Sequence, residues 1–282
     1  MNHFIENEFL KIEINSKGAE LVSVKFAGKE FIWNGNPVFW SKHSPVLFPI
    51  VGSLKNNSYT YQNKEYSLSR HGFARDLEFD LIEILNNGMV FSLRANENTV
   101  ANYPFEFELR IKYTLIEKKI SIEYLVFNYS DEKMPFSIGA HPAFSLPKGF
   151  ENYSLEFSED EILNYHLLEN GLIADKTDQL ITYNKVLDLK YKIFENDALV
   201  FKTLKSKSII ILENSNPYIK VRFDDFPNLG IWTVQNSNFI CIEPWIGYSD
   251  ITNSNGNLLD KEGIVILESN QTFKTEFSIQ IL

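Results

Sequence analysis

The sequence is poor in cysteine, in clustered positive charge and in long apolar runs, and each of these absences argues against a class of protein. Its single cysteine, Cys241, excludes an intramolecular disulfide. No window comes near the roughly 18 consecutive apolar residues of a membrane-spanning helix. The formal net charge is −10 and no block of basic residues is present, which argues against nucleic acid as a partner. These absences favour a small ligand.

Signals for targeting and for common cofactors are also missing. The opening stretch MNHFIENEFLKIEI lacks the basic and apolar regions of a secretory signal, so we expect a cytoplasmic protein without a membrane partner. There is no P-loop, no GxGxxG ahead of a helix and no HExxH, so we expect neither a nucleotide cofactor nor a metal. No linker-like run divides the chain, which predicts one domain over residues 1–282.

The dominant pattern along the chain is alternation with a period of two. In FEFELRIKYTL (105–115), aromatic and aliphatic residues alternate with Glu106, Glu108, Arg110 and Lys112, which predicts a strand with one packed face and one wet face. The next run, 120–126, alternates again and predicts a hairpin. Further strands are predicted in LKIEI (10–14), ELVSVKFAGKEFIW (20–33) and TFKTEFSIQIL (272–282).

Helical periodicity does not persist for three turns anywhere, so helix should be a minor component. The segment FSEDEILNYHLLENGLIAD (157–175) is polar and predicts a loop with at most a helical turn. The fold class predicted is therefore all-β, with two large sheets packed face to face and a site in the concave face of one of them.

The segment FSIGAHPAFSLP (136–147) places His141 among small and apolar residues. Burying an unpaired imidazole costs roughly 1 to 3 kcal/mol, so a buried His141 should have a hydrogen-bond partner or a catalytic function. Pro142 favours an extended backbone at His141, and Gly139 should leave space beside the ring. The alternatives are a core histidine bonded to a backbone carbonyl and a general acid that titrates close to neutral pH.

Glu243, in CIEPWIGYSD (241–250), puts a carboxylate at what should be a buried strand end. An ion pair with a nearby Lys or Arg is one explanation. The other is a general base, because desolvation raises the pKa of a carboxyl group and makes it a stronger proton acceptor. Trp245 beside it offers a flat face on which the C–H face of a sugar ring could lie.

Two further segments contain candidate binding residues. In SRHGFARD (69–76), His71 and Arg75 offer directional donors for hydroxyl or carboxylate oxygens, although a solvated basic loop would look the same. In FENDALVFK (194–202), Asp197 precedes an apolar run and could be only a turn residue.

Taken together, these segments resemble the aldose 1-epimerase (mutarotase) family, especially its LacX-like branch. The resemblance extends over nearly the whole chain through KGAELVSVKFAGKEFIW, PVLFPIVGSLKNNSY, LSRHGFARDLEF, FSIGAHPAFSLP and CIEPWIGYSD, in that order. It implies a galactose-mutarotase-like β-supersandwich that interconverts the anomers of a hexose. It also implies that His141 is the general acid and Glu243 the general base, with His71, Arg75 and Asp197 holding the sugar.

The sequence leaves the substrate and some other functions open. A hexose 6-phosphate would need positive charge, for which Arg75, Lys55 and Lys42 are the candidates. A carbohydrate-binding protein without turnover would need the cleft but not the acid and base. A glycoside hydrolase would need two carboxylates, and only Glu243 and Asp197 are available. The oligomeric state is not predicted.

Overall fold

A computed structural model describes residues 1–282 and shows an all-β chain, as the alternation predicts. The strands, numbered in chain order, are β1 Asn2–Glu6, β2 Leu10–Asn15, β3 Glu20–Phe26, β4 Lys29–Glu30, β5 Val46–Leu47, β6 Ser58–Tyr61, β7 Lys64–Ser67, β8 Asp80–Leu85, β9 Gly88–Arg94, β10 Phe107–Ile116, β11 Lys119–Asn128, β12 Met134–Phe136, β13 Ile138–Ala140, β14 Ala143–Ser145, β15 Tyr153–Phe157, β16 Leu163–Glu169, β17 Leu172–Leu180, β18 Val186–Asp188, β19 Leu199–Phe201, β20 Ser208–Glu213, β21 Asn216–Arg222, β22 Asn228–Trp232, β23 Phe239–Ile246, β24 Val265–Leu267 and β25 Thr272–Ile281.

Helix is a minor component, which confirms the prediction. The single α-helix, α1, spans Glu97–Asn102 and begins after Asn96, whose side chain accepts from the backbone N–H groups of Asn98 and Thr99. No helix here is both long enough and apolar enough to cross a bilayer. The remaining helical turns are of the 3₁₀ type, at Lys55–Asn57, Ala74–Asp76, Phe150–Asn152, Tyr191–Phe194 and Leu258–Asp260.

Two large antiparallel sheets dominate the fold. One has nine strands in the order β18-β15-β20-β21-β25-β11-β10-β9-β8. The other follows the path β17-β16-β19-β22-β23-β13-β5, and β14 also pairs with β23. One continuous buried cluster includes Ile111 and Ile122 from the first sheet and Ile231 and Ile242 from the second. The two sheets therefore share one hydrophobic core, as expected for a sandwich.

The predicted hairpin is formed by β10 and β11, in register from Phe107 opposite Asn128 to Ile116 opposite Lys119. Its apolar face is buried as predicted, but the prediction that Glu108 lies on a wet face is wrong. The Glu108 side chain is fully buried and accepts hydrogen bonds from Ser92, Arg110 and Tyr129. Its neighbours on the outer face cover it, which a period-two pattern does not reveal.

The prediction of a loop over 157–175 is also wrong. Strand β16 lies within this segment, and strand β17 begins in it and continues beyond its end. The two strands pair antiparallel, from Leu163 opposite Leu180 to Glu169 opposite Leu172. The register shifts between His166 and Leu168, so the alternation that marks a strand is broken in the middle of β16. Strand β17 ends the sheet and is mostly polar, which further weakens the signal.

Candidate active site

A cavity of about 280 Å³ lies at strands β22 and β23 of the second large sheet and contains all six site residues predicted from the sequence. Its lining residues are Trp40, Arg70, His71, Arg75, His141, Asp197, Ala198, Trp232, Glu243 and Trp245. A larger cavity of about 440 Å³ lies elsewhere, beside His166 and Lys202. The larger cavity has one carboxylate, that of Glu161, and it already accepts hydrogen bonds from two backbone N–H groups. The smaller cavity is therefore the better candidate for acid–base chemistry.

Strand pairing brings His141 and Glu243 together. Strands β13 and β14 both pair with β23, through Gly139 opposite Trp245 and Ala143 opposite Cys241. The His141–Pro142 dipeptide lies between these two paired segments, so the continued register places His141 opposite Glu243. Residues facing each other on the same side of an antiparallel pair have neighbouring side chains. The histidine is thus held against the carboxylate by the sheet itself.

The two side chains approach closely in a dry environment. His141 Nε2 lies 3.2 Å from Glu243 Oε2, and the side chains are only 9% and 1% exposed. Burial lowers the pKa of His141 to about 3, helped by the charges of Arg70 and Arg75. Burial raises the pKa of Glu243 well above its usual range. Burial therefore disfavours the charged form of each group.

Several polar atoms of the cavity have no hydrogen-bond partner in the protein. They are His141 Nδ1, Glu243 Oε2 and Trp245 Nε1, whereas Arg75 Nε lies 3.6 Å from Asp76 Oδ2. Although Glu243 Oε2 is 3.2 Å from His141 Nε2, the angles between them do not make a hydrogen bond. Buried polar groups are normally paired, so this concentration of unpaired donors and acceptors indicates a site for a polar ligand.

The SRHGFARD loop presents His71 to the cavity in a constrained geometry. His71 has a left-handed backbone with φ of 70°, which is costly for a residue other than glycine. Its N–H donates to the Gly52 carbonyl at 2.8 Å, and the Gly52 N–H donates to His71 Nδ1 at 3.0 Å. Its ring centroid lies 5.8 Å from that of His141. The backbone therefore fixes the direction of the imidazole.

His71 is suited to binding and not to proton transfer. Both ring nitrogens of His71 lie near donors, because the Gly52 N–H donates to Nδ1 at 3.0 Å and the Arg70 Nε–H points to Nε2 at 3.3 Å. A neutral imidazole accepts at one nitrogen only, and the shorter contact places the ring proton on Nε2. Burial, with the charges of His141, Arg70 and Arg75, lowers the pKa of His71 well below its usual value. A ring in this state offers one N–H to a ligand oxygen and resists a second proton.

Two guanidinium groups, of Arg70 and Arg75, line the cavity. Arg75 Nη2 donates to the Arg70 carbonyl at 2.8 Å, which ties the two residues together. Lys42 and Lys55, proposed from the sequence as charges for a phosphate, do not line this cavity. The Lys42 ammonium pairs with Asp76 at 2.9 Å, and that of Lys55 donates to the Ser254 carbonyl at 3.3 Å. Of the three candidate charges for a phosphate, only Arg75 therefore lines the cavity.

Asp197 lies in the cavity wall just before β19. Its φ is 80°, and its carboxylate accepts from the N–H of Ala198 at 2.8 Å. It is close enough to Glu243 for its charge to raise the pKa of that carboxyl further. The residue thus has a turn-forming function and still faces the site. The turn and site interpretations of Asp197 are compatible.

Trp245 lines the cavity but is only 5% exposed, and most of its ring is packed. A Cβ at Gly230 would lie 2.5 Å from its ring and one at Gly139 2.6 Å, so both glycines are needed for this packing. The space expected beside His141 at Gly139 is filled by Trp245.

Two other tryptophans line the cavity and were not predicted. The ring of Trp40 stacks on His141 at 4.8 Å between centroids, and that of Trp232 meets His141 edge-on at 5.7 Å. Both are more exposed than Trp245 and offer a better platform for a sugar. Neither lies in a segment with a recognisable signal, because Trp40 comes from a loop and Trp232 fits the ordinary strand pattern.

A buried ion pair joins the loops behind the cavity. The Lys261 ammonium, 2% exposed, donates to Asp250 Oδ1 at 2.9 Å and to the Tyr248 carbonyl at 2.6 Å. Asp250 Oδ2 accepts from the Lys55 N–H at 2.9 Å, and the Asp250 N–H donates to the Ser53 carbonyl at 2.8 Å. These contacts fasten the end of the Glu243 segment to the loop that orients His71.

The all-β fold places the chain in the galactose-mutarotase-like class. The sequence profile described as Aldose 1-epimerase matches residues 3–265, and the chain belongs to that family. It is 39% identical over 295 aligned residues to the plasmid-encoded protein LacX of Lactococcus lactis subsp. lactis, an alignment that covers 99% of this chain and 98% of the relative. Membership supports a mutarotase-type isomerase with a sugar substrate.

Solved structures agree with this assignment. A galactose mutarotase related enzyme from Lactobacillus acidophilus is 34% identical, with a TM-score of 0.95 over 100% of this chain and 97% of that one. A galactose mutarotase-like protein from Lactobacillus casei ATCC 334 is 26% identical, with a TM-score of 0.94 over 100% of both chains. The predicted galactose-mutarotase-like supersandwich is thereby confirmed.

Proposed function

We propose that this protein interconverts the α and β anomers of a hexose by opening and reclosing the sugar ring, with Glu243 as the general base and His141 as the general acid. The observation that carries the proposal is the 3.2 Å approach of His141 Nε2 to Glu243 Oε2, both on buried side chains that line the cavity. A base and an acid at this separation can serve two neighbouring oxygens, and the hemiacetal presents two such oxygens on C1.

The proton count of the pair fits the reaction. Glu243 takes the proton of the C1 hydroxyl while His141 gives one to the ring oxygen, the C1–O5 bond breaks and an aldehyde forms. Rotation about C1–C2 and the reverse proton transfers then yield the other anomer. The active form carries this proton on His141 and leaves Glu243 ionised, whereas burial favours the neutral form of each group. Hydrogen bonding of the C1 hydroxyl to the carboxylate favours its ionised form and shifts the proton to His141.

The other cavity residues support binding and orientation. His71 offers the N–H on Nε2, the Arg75 guanidinium lines the cavity, and Asp197 can accept from a hydroxyl. Trp40 and Trp232, with a smaller contribution from Trp245, offer aromatic faces for the C–H side of the ring. Holding C1 between acid and base is itself a source of rate, because it replaces a chance encounter by a fixed geometry.

A polarimetric screen of freshly dissolved α-anomers tests the proposal. Glucose and galactose should lose their excess rotation faster with the protein than with buffer alone. The rate should fall in strong acid near the pKa of His141, about 3, where the pair gains a second proton. It should fall again in base above the raised pKa of Glu243, where the pair loses its only proton. Calorimetric binding without any catalysed rotation change would instead indicate a sugar-binding protein.

The two arginines of the cavity favour a second candidate substrate, a hexose 6-phosphate. Arg70 and Arg75 line the same cavity as the acid–base pair, and guanidinium groups bind phosphate oxygens in pairs. The same screen should include glucose and galactose 6-phosphates. A KM at least tenfold lower for the phosphates, lost in Arg70→Ala, would assign the phosphorylated sugars as substrates. Equal KM values would assign the free hexoses.

A further inference from the structure

Cys241 lies beside the proposed acid and base without a function in the proposed reaction. It is two residues before Glu243 on β23, so both side chains project from the same face of the strand. One ligand atom each from His141, Cys241 and Glu243 lie within 4.8 Å of one another, and all three residues are buried. A small apolar residue would fill this position equally well, so the thiol itself invites an explanation.

The carboxylate supplies an independent sign of a missing ligand. Glu243 is 1% exposed, and its Oε2 has no hydrogen-bond partner although it lies 3.2 Å from His141 Nε2. His141 therefore leaves this carboxylate oxygen without a hydrogen bond. The Cys241 sulfur completes a set of three ligand atoms that lie within 4.8 Å of one another.

We propose that His141, Cys241 and Glu243 form a binding site for a thiophilic divalent cation of the zinc class, and that a bound ion blocks the acid–base pair. Tetrahedral zinc with Zn–N and Zn–O bonds near 2.1 Å and a Zn–S bond near 2.3 Å needs its ligand atoms about 3.3 to 3.7 Å apart. The nitrogen–oxygen separation of 3.2 Å is close to this range, and separations of at most 4.8 Å to sulfur leave about 1 Å to be closed on binding. Imidazole, thiolate and carboxylate together suit zinc better than magnesium or calcium.

The charges around the cluster allow such an ion. The guanidinium groups of Arg70 and Arg75 oppose a cation, whereas the carboxylates of Glu243 and Asp197 offset them. Burial and the neighbouring Glu243 raise the pKa of the Cys241 thiol, so the thiol is protonated without metal. Binding must therefore release that proton, and affinity should increase with pH. His141 and Glu243 both line the cavity, which leaves a coordination position of the ion open to it.

Binding and inhibition can be separated experimentally. The binding claim rests on the cluster alone, whereas the inhibition claim rests on the proposed function. Co²⁺ is a suitable probe because it takes the zinc geometry and absorbs through sulfur-to-cobalt charge transfer. Since Cys241 is the only cysteine in the chain, that band can come from no other residue.

The experiment titrates the chelator-treated protein with Co²⁺ and follows the charge-transfer band, then displaces cobalt with Zn²⁺. We expect a band that saturates at one ion per chain, disappears in Cys241→Ser and Cys241→Ala, and needs at least tenfold more Co²⁺ in His141→Asn or Glu243→Gln. His166→Gln is the matched control, because His166 is another partly buried histidine with an unpaired ring nitrogen outside this cluster. It should titrate like the parent.

Each result decides between the two claims. No band in the parent, or an unchanged affinity in both His141→Asn and Glu243→Gln, would overturn the metal site, and the parent measurement does not depend on a variant folding. If the screen finds a sugar that is turned over, Zn²⁺ at the concentration that saturates the site should abolish the catalysed rate. Full turnover at saturation would overturn the block. A band in a protein that turns over no sugar would support the metal site while the proposed function fails.

Discussion

His141 and Glu243 lie opposite each other on adjoining strands, with Nε2 and Oε2 3.2 Å apart, yet they do not form a hydrogen bond. The sheet register imposes the distance, while the angles leave both atoms available to a ligand. A structural ion pair would be expected to close this bond and to keep both groups charged. The pair is instead almost completely buried, and burial moves the two pKa values in opposite directions, each towards the neutral form of its group.

Replacing the acid should remove turnover and leave binding. His141→Asn keeps a hydrogen-bonding side chain but cannot give a proton to the ring oxygen, so kcat should fall by at least about 10²-fold and sugar affinity should change by less than about tenfold. Polarimetric rates and calorimetric binding check this prediction. His166→Asn, outside the cavity, is the control and should keep the parent rate. Parent-like turnover in His141→Asn would rule out the general-acid function.

Replacing the base should slow the reaction and change how stability depends on pH. Glu243→Gln should lower the rate by about 10²-fold or more because the amide cannot take the C1 hydroxyl proton. The folded-state pKa of Glu243 is raised, so the parent loses stability as pH rises from about 4.5 towards that pKa, by up to about 1.4 kcal/mol per pH unit. Glu243→Gln has no carboxyl group to ionise, so its stability should not decrease in this way. The variant should therefore become more stable than the parent as the pH increases. Urea unfolding of both proteins across this range measures it, and parallel curves would contradict the buried, protonated carboxyl.

Shortening the binding side chains should act mainly on KM. His71→Ala removes the N–H on Nε2 and Arg75→Ala removes a guanidinium that lines the cavity, so each should raise KM, with a smaller fall in kcat if the sugar is held less well between acid and base. Steady-state polarimetry gives both constants. Lys133→Ala, on an exposed ion pair, serves as the control. Unchanged KM and kcat in both site variants would indicate that the SRHGFARD loop is only a solvated surface segment.

Breaking the buried ion pair behind the cavity should cost stability. Lys261→Met leaves the Asp250 carboxylate buried without its charge partner, which typically costs about 3 to 5 kcal/mol. Adding Asp250→Asn removes the stranded charge and should recover part of the loss. Denaturant unfolding of the parent, the single variant and the double variant gives the coupling. If Lys261→Met had the same free energy of unfolding as the parent, Lys261 would not stabilise the contact between these loops.

Glu108 should make the protein sensitive to acid. The guanidinium of Arg110 and the hydroxyls of Ser92 and Tyr129 hold its pKa near 2 against the cost of burial. Because the folded-state pKa is depressed, the stabilisation is present above about pH 4.5 and is lost as pH falls towards 2, and it amounts to about 3 kcal/mol. Glu108→Gln should be less stable than the parent at neutral pH, and its free energy of unfolding should change less as the pH falls. Urea unfolding at a series of pH values measures both effects. Exposed Glu106→Gln is the matched control and should follow the parent.

Local patterning was enough for the parts of the fold in which one face of a strand is wet. The alternation in 105–115 and 120–126 predicted the β10–β11 hairpin because each apolar side chain there reports one buried position. The same rule failed at Glu108, where a buried carboxylate has the same appearance in the sequence as an exposed one. It failed again at β16, where the shift between His166 and Leu168 breaks the period.

The sequence by itself determined the chemistry available: one histidine among small residues at 141, one carboxylate at a strand end at 243, and a histidine and an arginine in a glycine-containing loop. Only the tertiary structure decided how these groups act together. The pairing of β13 and β14 with one strand set the distance between acid and base, and burial in the shared core set their protonation. It also brought Arg70, Trp40 and Trp232 to the cavity and left Lys42 and Lys55 outside it. Distances and desolvation arise from contacts between residues far apart in the chain, and no local pattern encodes them.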